Sequence, residues 1–146
     1  MATYTSQHIT AGRPAPSPAG YADRIVILRG VVDCSAAPST TDTLNFFDVP
    51  AGFRVVGGYL KSTDMDTNGS PTITLNIGDA GSANRLFAAS TVAQTGTATQ
   101  TLAAGGLDYL YTSKTRITGT ANANAATGAA GTVTLVLYGR LEGSAS

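Results

Sequence analysis

The chain has 146 residues and carries nine basic and nine acidic side chains, a formal net charge of zero, which is the size of one ordinary domain and leaves no room for separate substrate and cofactor modules. Alanine (23), threonine (22), glycine (17) and serine (11) make up half of it, and charged residues only 12 % against a usual share of about 25 %. Two lysines and one glutamate are too few to coat exposed helix faces, which excludes a helical domain, and one histidine, one cysteine and no tryptophan exclude most active sites.

The elements follow in chain order. Residues 1–23 read as an extended arm, because Pro14, Pro16 and Pro18 alternate with small residues, favour extended backbone and remove three amide donors. Such a segment cannot make its own core. It is either a disordered tail or an arm lying across a neighbouring subunit or partner, with Tyr4, Ile9 and Tyr21 as anchors and Arg13 and Arg24 as further contacts. Arg13, Arg24 and Arg29 suit an acidic protein surface, or are simply solvated.

Arg24 to Val32 is apolar on both faces, short and β-branched, so it is expected to be a covered strand opening the domain. Asp33 to Asp42 is a polar link, and Thr43 to Val49 a second strand with Leu44 and Phe46 on one side. Pro50-Ala51-Gly52 makes a tight turn. Phe53 to Lys61 follows as a strand in which Gly57-Gly58 mark a bulge or a close backbone approach. Ile73, Leu75 and Ile77 alternate with Thr72, Thr74 and Asn76, the pattern of a half-buried antiparallel strand.

After the Gly78 to Gly81 turn, Arg85-Leu86-Phe87 is a short element of undefined type, and Ala88 to Gly106 reads as a surface excursion anchored by Val92 and Leu102. Leu107 to Tyr111 and Thr115 to Thr120 resemble the two arms of a hairpin. Ala121 to Gly131 is a low-complexity loop, and Thr132 to Tyr138 is the closing strand with Val133, Leu135 and Leu137 inward. Seven or eight strands at short intervals, without amphipathic crossover helices, predict an all-β fold: an antiparallel β-sandwich or jelly-roll-like domain over residues 24–142 with the N-terminal arm before it. Residues 143–146 are a C-terminal tail. Val, Ile, Leu and Phe together are about a fifth of the chain, so the core of one copy is expected to be thin and further burial to come between copies.

The tests for chemistry come out negative. A nucleophile–imidazole–acid triad has only His8, in the arm, to draw on, and Cys34 lacks a base and a disulfide partner. Glu142 falls in the tail segment, so no carboxylate pair for glycoside hydrolysis stands out. Asp64-Met65-Asp66-Thr67-Asn68-Gly69 matches the opening of a calcium loop, but position twelve, where a bidentate glutamate belongs, is Leu75. A polar turn is the reading that Asn68-Gly69 favours, with weak Ca²⁺ binding at Asp64, Asp66 and Asn68 left open. Asn68-Gly69-Ser70 also fits a glycosylation acceptor, read here as a turn. No phosphate loop and no basic stripe for nucleic acid occur, and neither a signal peptide nor a membrane span is read from the sequence. No cofactor and no metal are expected, and the product is expected to stay in the compartment where it is made.

Val49 to Leu60 (VPAGFRVVGGYL), Thr72 to Gly81 (TITLNIGDAG) and Gly131 to Gly139 together resemble small virion proteins of tailed bacteriophages. The resemblance covers roughly Leu44 to Tyr138 and rests on turn grammar without catalytic residues. It implies a β-sandwich structural protein made in the host cytoplasm, a capsid decoration or cement protein sitting as a homo-oligomer, often a trimer, against the major capsid protein of the head shell. A head-fibre or tail-associated protein is the neighbouring alternative. A carbohydrate-binding module, with Tyr59, Tyr109, Tyr111 and Tyr138 as stacking faces, is a third class.

Overall fold

Apolar residues alternating with threonine and asparagine give strands with one buried and one wet face, and a computed structural model, which describes residues 25–142, is built almost wholly from such strands. Along the chain these are β1 (Ile25–Cys34), β2 (Leu44–Val49), β3 (Phe53–Ser62), β4 (Thr74–Asp79), β5 (Ser82–Ser90), a single helical turn α1 (Val92–Thr95), β6 (Ala98–Thr99), β7 (Leu110–Tyr111), β8 (Thr115–Ala123) and β9 (Gly131–Leu141). The arm, the tail and the five proposed contact residues Tyr4, Ile9, Arg13, Tyr21 and Arg24 lie outside the described residues.

Two antiparallel sheets result. The first runs β1-β9-β3-β6, with β7 also paired to β3, and the second runs β2-β8-β4-β5. The fold is the all-β antiparallel sandwich that composition and periodicity predict. Its edge strand β1 joins β9 in unbroken register from Ile25↔Arg140 to Cys34↔Gly131. The inner faces meet through Phe53, Val55 and Leu60 of β3, Leu75 and Ile77 of β4, Ile117 of β8, and Val133, Leu135 and Leu137 of β9, all fully buried. Each such side chain contributes about 1.5–3 kcal/mol by leaving water. Met65 and Ile73, also fully buried, plug one end from the β3–β4 connection.

Gly57 and Gly58 sit where sequence alone places a bulge. The β3–β9 register slips between Val55 and Gly57, which makes Val56 the extra residue, and a Cβ on Gly57 would meet the Tyr138 ring at 2.6 Å. The glycine is therefore a seat for an aromatic ring.

Five expectations need correction. Leu107–Tyr111 and Thr115–Thr120 do not form a hairpin: β7 pairs with β3 in the first sheet, whereas β8 pairs with β2 and β4 in the second. The Arg85 segment belongs to the nine-residue strand β5, which pairs with β4 through two register shifts. The supposed excursion after it is tied inward by Val92, Ala93 and Leu102, all buried, and β8 runs on to Ala123 into the supposed loop. Glu142 is not a loose tail residue, since its N–H donates to Gly52 O at 2.8 Å. In β5, the segment after it and β8, the burial of a few apolar residues, spaced too sparsely to show as a period, overrides the small polar majority.

Candidate interaction surface

The outward face of the first sheet differs from an ordinary wet face. Odd-numbered residues of β1 point out, and Ile25, Ile27 and Val31 are 66, 68 and 44 % exposed, joined by Val56 at 48 % on β3. Register places Tyr138 beside Ile27 and Gly57, and Val136 beside Arg29 and Tyr59. Val136 is 5 % exposed yet belongs to no inner-core cluster, so it is covered by its neighbours on this outer face. The covered strand expected from residues 24–32 is thus covered on one face only. Its signal was present in the sequence: Arg29 and Asp33 share the parity of Ile25, Ile27 and Val31, and two charged groups in an alternating set mark the solvent side.

An ion-pair cluster borders this face. Arg54 Nε donates to Glu142 Oε1 at 2.5 Å, Arg140 Nη2 donates to the same oxygen at 2.9 Å, and Arg54 Nη1 donates to Asp108 O at 2.7 Å. The Arg54 bond, and then the Arg140 bond, hold the Glu142 carboxyl below the usual carboxylate range. These groups line a shallow recess with Ile25 and Val56. At the same end of the sandwich, across the Pro50–Gly52 turn, Asp48 of the second sheet is paired with Arg116 and Lys114. Such exposed pairs contribute little stability and chiefly fix where charge sits.

Two buried carboxylates shape the loops instead. Asp66, 1 % exposed, accepts N–H bonds from Thr72 (2.7 Å), Ile73 (3.2 Å), Ala126 (2.9 Å), Thr127 (2.9 Å) and Asn68 (3.4 Å). Burial alone would push its carboxyl up, but the backbone donors of Thr127, Thr72, Ala126 and Ile73 outweigh it and hold the group far below its ordinary value. A calcium loop turns oxygens toward a cation; here the Asp66 oxygens are turned toward N–H groups, so the Asp64–Asn68 motif is a clasp between two loops.

Asp79, 5 % exposed, accepts from Arg85 Nε (2.6 Å) and Nη2 (3.3 Å), from Tyr111 OH (3.0 Å) and from the N–H groups of Gly81 and Ser82. Burial raises its carboxyl, and the Arg85 and Tyr111 bonds more than reverse that. Arg85 lies 3.9 Å over the Tyr109 ring, which meets Tyr111 edge to face at 4.8 Å. Tyr109 and Tyr111 are therefore spent inside the domain, and the row of four tyrosines considered for sugar stacking reduces to Tyr59 and Tyr138 on the outer face.

Among the described residues no group of three or more His, Cys, Asp or Glu could hold a metal, and no helix is long and apolar enough to cross a membrane. Cys34 is half-buried, and burial first, then the charges of Asp33 and Asp42, push its thiol up toward the unreactive protonated form. What the arrangement offers is surface, a two-sheet scaffold presenting an apolar and aromatic face of the kind that marks contact with other molecules.

Solved structures define the class. The chain is similar to a chain of the cyanophage Pam1 capsid asymmetric unit, with a TM-score of 0.80 and 39 % sequence identity over 96 % of this chain and 98 % of that one. It is similar to a chain of the capsid of Ralstonia phage GP4, with a TM-score of 0.74 and 29 % identity over 91 % and 93 %. A chain of the acid-stable capsid of Helicobacter pylori bacteriophage KHP30 shares the fold, with a TM-score of 0.53 and 16 % identity over 79 % and 86 %. No protein-family model and no curated protein sequence matches this chain. The chain belongs to the family of the Pam1 capsid chain: it is a bacteriophage virion structural protein.

Proposed function

We propose that the chain is a decoration or cement protein of a phage head shell, bound as a homo-oligomer, a trimer, to the major capsid protein, with residues 1–23 reaching onto neighbouring subunits. The observation that carries this reading is the 39 % identity to a capsid chain over nearly the full length of both, in a protein whose described residues present an exposed apolar sheet face. The strand orders β1-β9-β3-β6 and β2-β8-β4-β5, with β6 and β7 together filling one place, support reading the sandwich as a jelly roll, the form that viral shells use repeatedly. A cement protein needs no reaction. It strengthens a shell by binding the assembled state in preference to its dissociated parts, and repetition over symmetric copies multiplies modest contacts.

The test is binding of the purified protein to shells that lack it, read by co-sedimentation, with and without residues 2–23. Removal of the arm is expected to abolish binding while the thermal unfolding transition of the domain stays in place. Undiminished binding of the shortened chain would defeat the arm as the shell contact. Reconstruction of intact particles separates the head-shell site from the head-fibre and tail alternatives.

A further inference from the structure

We infer that the free edge of β1 is an acceptor for a β-strand supplied by a second copy of this chain, and that the strand is the proline-alternating segment 13–19. This deepens the self-association reading above and rests on it. The first ground is the edge itself. Among the described residues β1 pairs only with β9, so one side of a ten-residue strand offers a row of unpaired N–H and C=O groups. Native proteins blunt such an edge with prolines, charged side chains or bulges; β1 (IVILRGVVDC) has no proline, lysine or bulge, its charges being Arg29 and Asp33 alone, and its register to β9 is unbroken. It presents Ile25, Ile27 and Val31 on its outward side as well.

The second ground is the shape of the donor. In an extended strand, residues two apart direct their backbone groups to the same edge. Pro14, Pro16 and Pro18 therefore place all three missing N–H groups on one edge, and leave Arg13, Ala15, Ser17 and Ala19 with complete donor and acceptor sets on the other. A segment of this kind can join a sheet by one side only and then ends it, which is where proline is tolerated in sheets. Seven residues span about 23 Å against about 33 Å for β1, so the acceptor is long enough.

The third ground is reach. Residues 20–24 connect the segment to the start of β1, and the six steps from Ala19 to Ile25 extend at most about 21 Å. Donation to a neighbour thus requires some part of that neighbour's β1 edge to lie within this distance of the donor's Ile25. Each copy gives one strand and takes one, the head-to-tail arrangement that closes a ring.

The test uses the full-length chain with Cys34→Ser and Ser17→Cys, combined in turn with Ile27→Cys, Arg29→Cys or Val31→Cys, oxidised mildly and run on non-reducing gels after circular dichroism has shown each variant folded. A disulfide between copies, seen as covalent dimers and larger multimers for at least one of the three, is expected. A disulfide closing within single chains, or none at any of the three positions, overturns the inference. Shell binding is measured on the unoxidised proteins, so that retained binding without cross-linking condemns this pairing alone, whereas lost shell binding in the parent chain condemns the decoration role.

Discussion

At Asp79 five hydrogen bonds from four residues converge on one buried carboxylate, and removing different members has different costs. Truncation by Asp79→Ala strips Arg85 and Tyr111 of their acceptor, and breaking a buried pair from one side costs about 3 kcal/mol or more. Tyr111→Phe removes a single bond to a charged group and leaves the others, for about 1.5 kcal/mol. Urea denaturation should therefore rank Asp79→Ala well below Tyr111→Phe in stability. Equal losses would mean that the hydroxyl, and not the guanidinium, anchors the carboxylate.

At the level of elements, β5 shows how a strand with a weak sequence pattern is held. Its pairing with β4 jumps from Ile77↔Phe87 to Leu75↔Ser90, which sets Ala88 and Ala89 opposite the single Asn76, a bulge of one extra residue. Ala89 has φ +48° and its N–H donates to Asn76 Oδ1 at 2.8 Å. A left-handed conformation costs an L-residue about 1–2 kcal/mol, partly offset when glycine replaces it by the greater freedom of the unfolded chain. Ala89→Gly is expected to raise stability by up to about 1 kcal/mol, and Asn76→Ala to lower it. A thermal melt in which Ala89→Gly destabilises would show that the alanine methyl packs usefully.

Strands with strict alternation, β4 and β9 above all, were legible in the sequence because Leu75 and Ile77, with Ile73 just before the strand, or Val133, Leu135 and Leu137, repeat on one side. Pairing partners were less so. Nothing local in Leu110-Tyr111 tells that they join β3 and not β8, because that pairing is made by backbone bonds to Gly52 and Val55, far back in the chain. The outer face of β1 was half legible: apolar residues on both sides look like a covered strand, and only the parity of Arg29 and Asp33 says otherwise. The clasp at Asp66 was hidden because its donors are backbone N–H groups, which every residue but proline carries.

For the whole molecule, the charged groups set a pH window. Asp66 and Asp79 have folded-state values below the ordinary carboxylate value of 3.8, so the unfolded chain binds protons first as pH falls, and the stability they contribute above about pH 4 is lost below it. Tyr111 is shifted the other way, upward from 10.0, by burial and then by the Asp79 charge. It contributes stability below pH 10 that disappears as pH rises beyond that. Residues 25–142 contain no histidine. Unfolding temperature is therefore expected to be level from about pH 5 to 9, to fall on the acid side below about pH 4 and on the alkaline side above about pH 10, as read by differential scanning calorimetry. A step between pH 6 and 7 would contradict this assignment.

The Asp66 clasp also bears on ionic strength. Dissolved ions shield one full charge from another over about 10 Å at 0.1 M, which loosens surface partnerships such as Arg116 with Asp48. The five amide hydrogens around Asp66 are fixed dipoles in direct contact with a carboxylate closed to solvent, and no mobile ion can slip between them. Brine that weakens the rim of this domain leaves the seam between residues 66–73 and 126–127 shut.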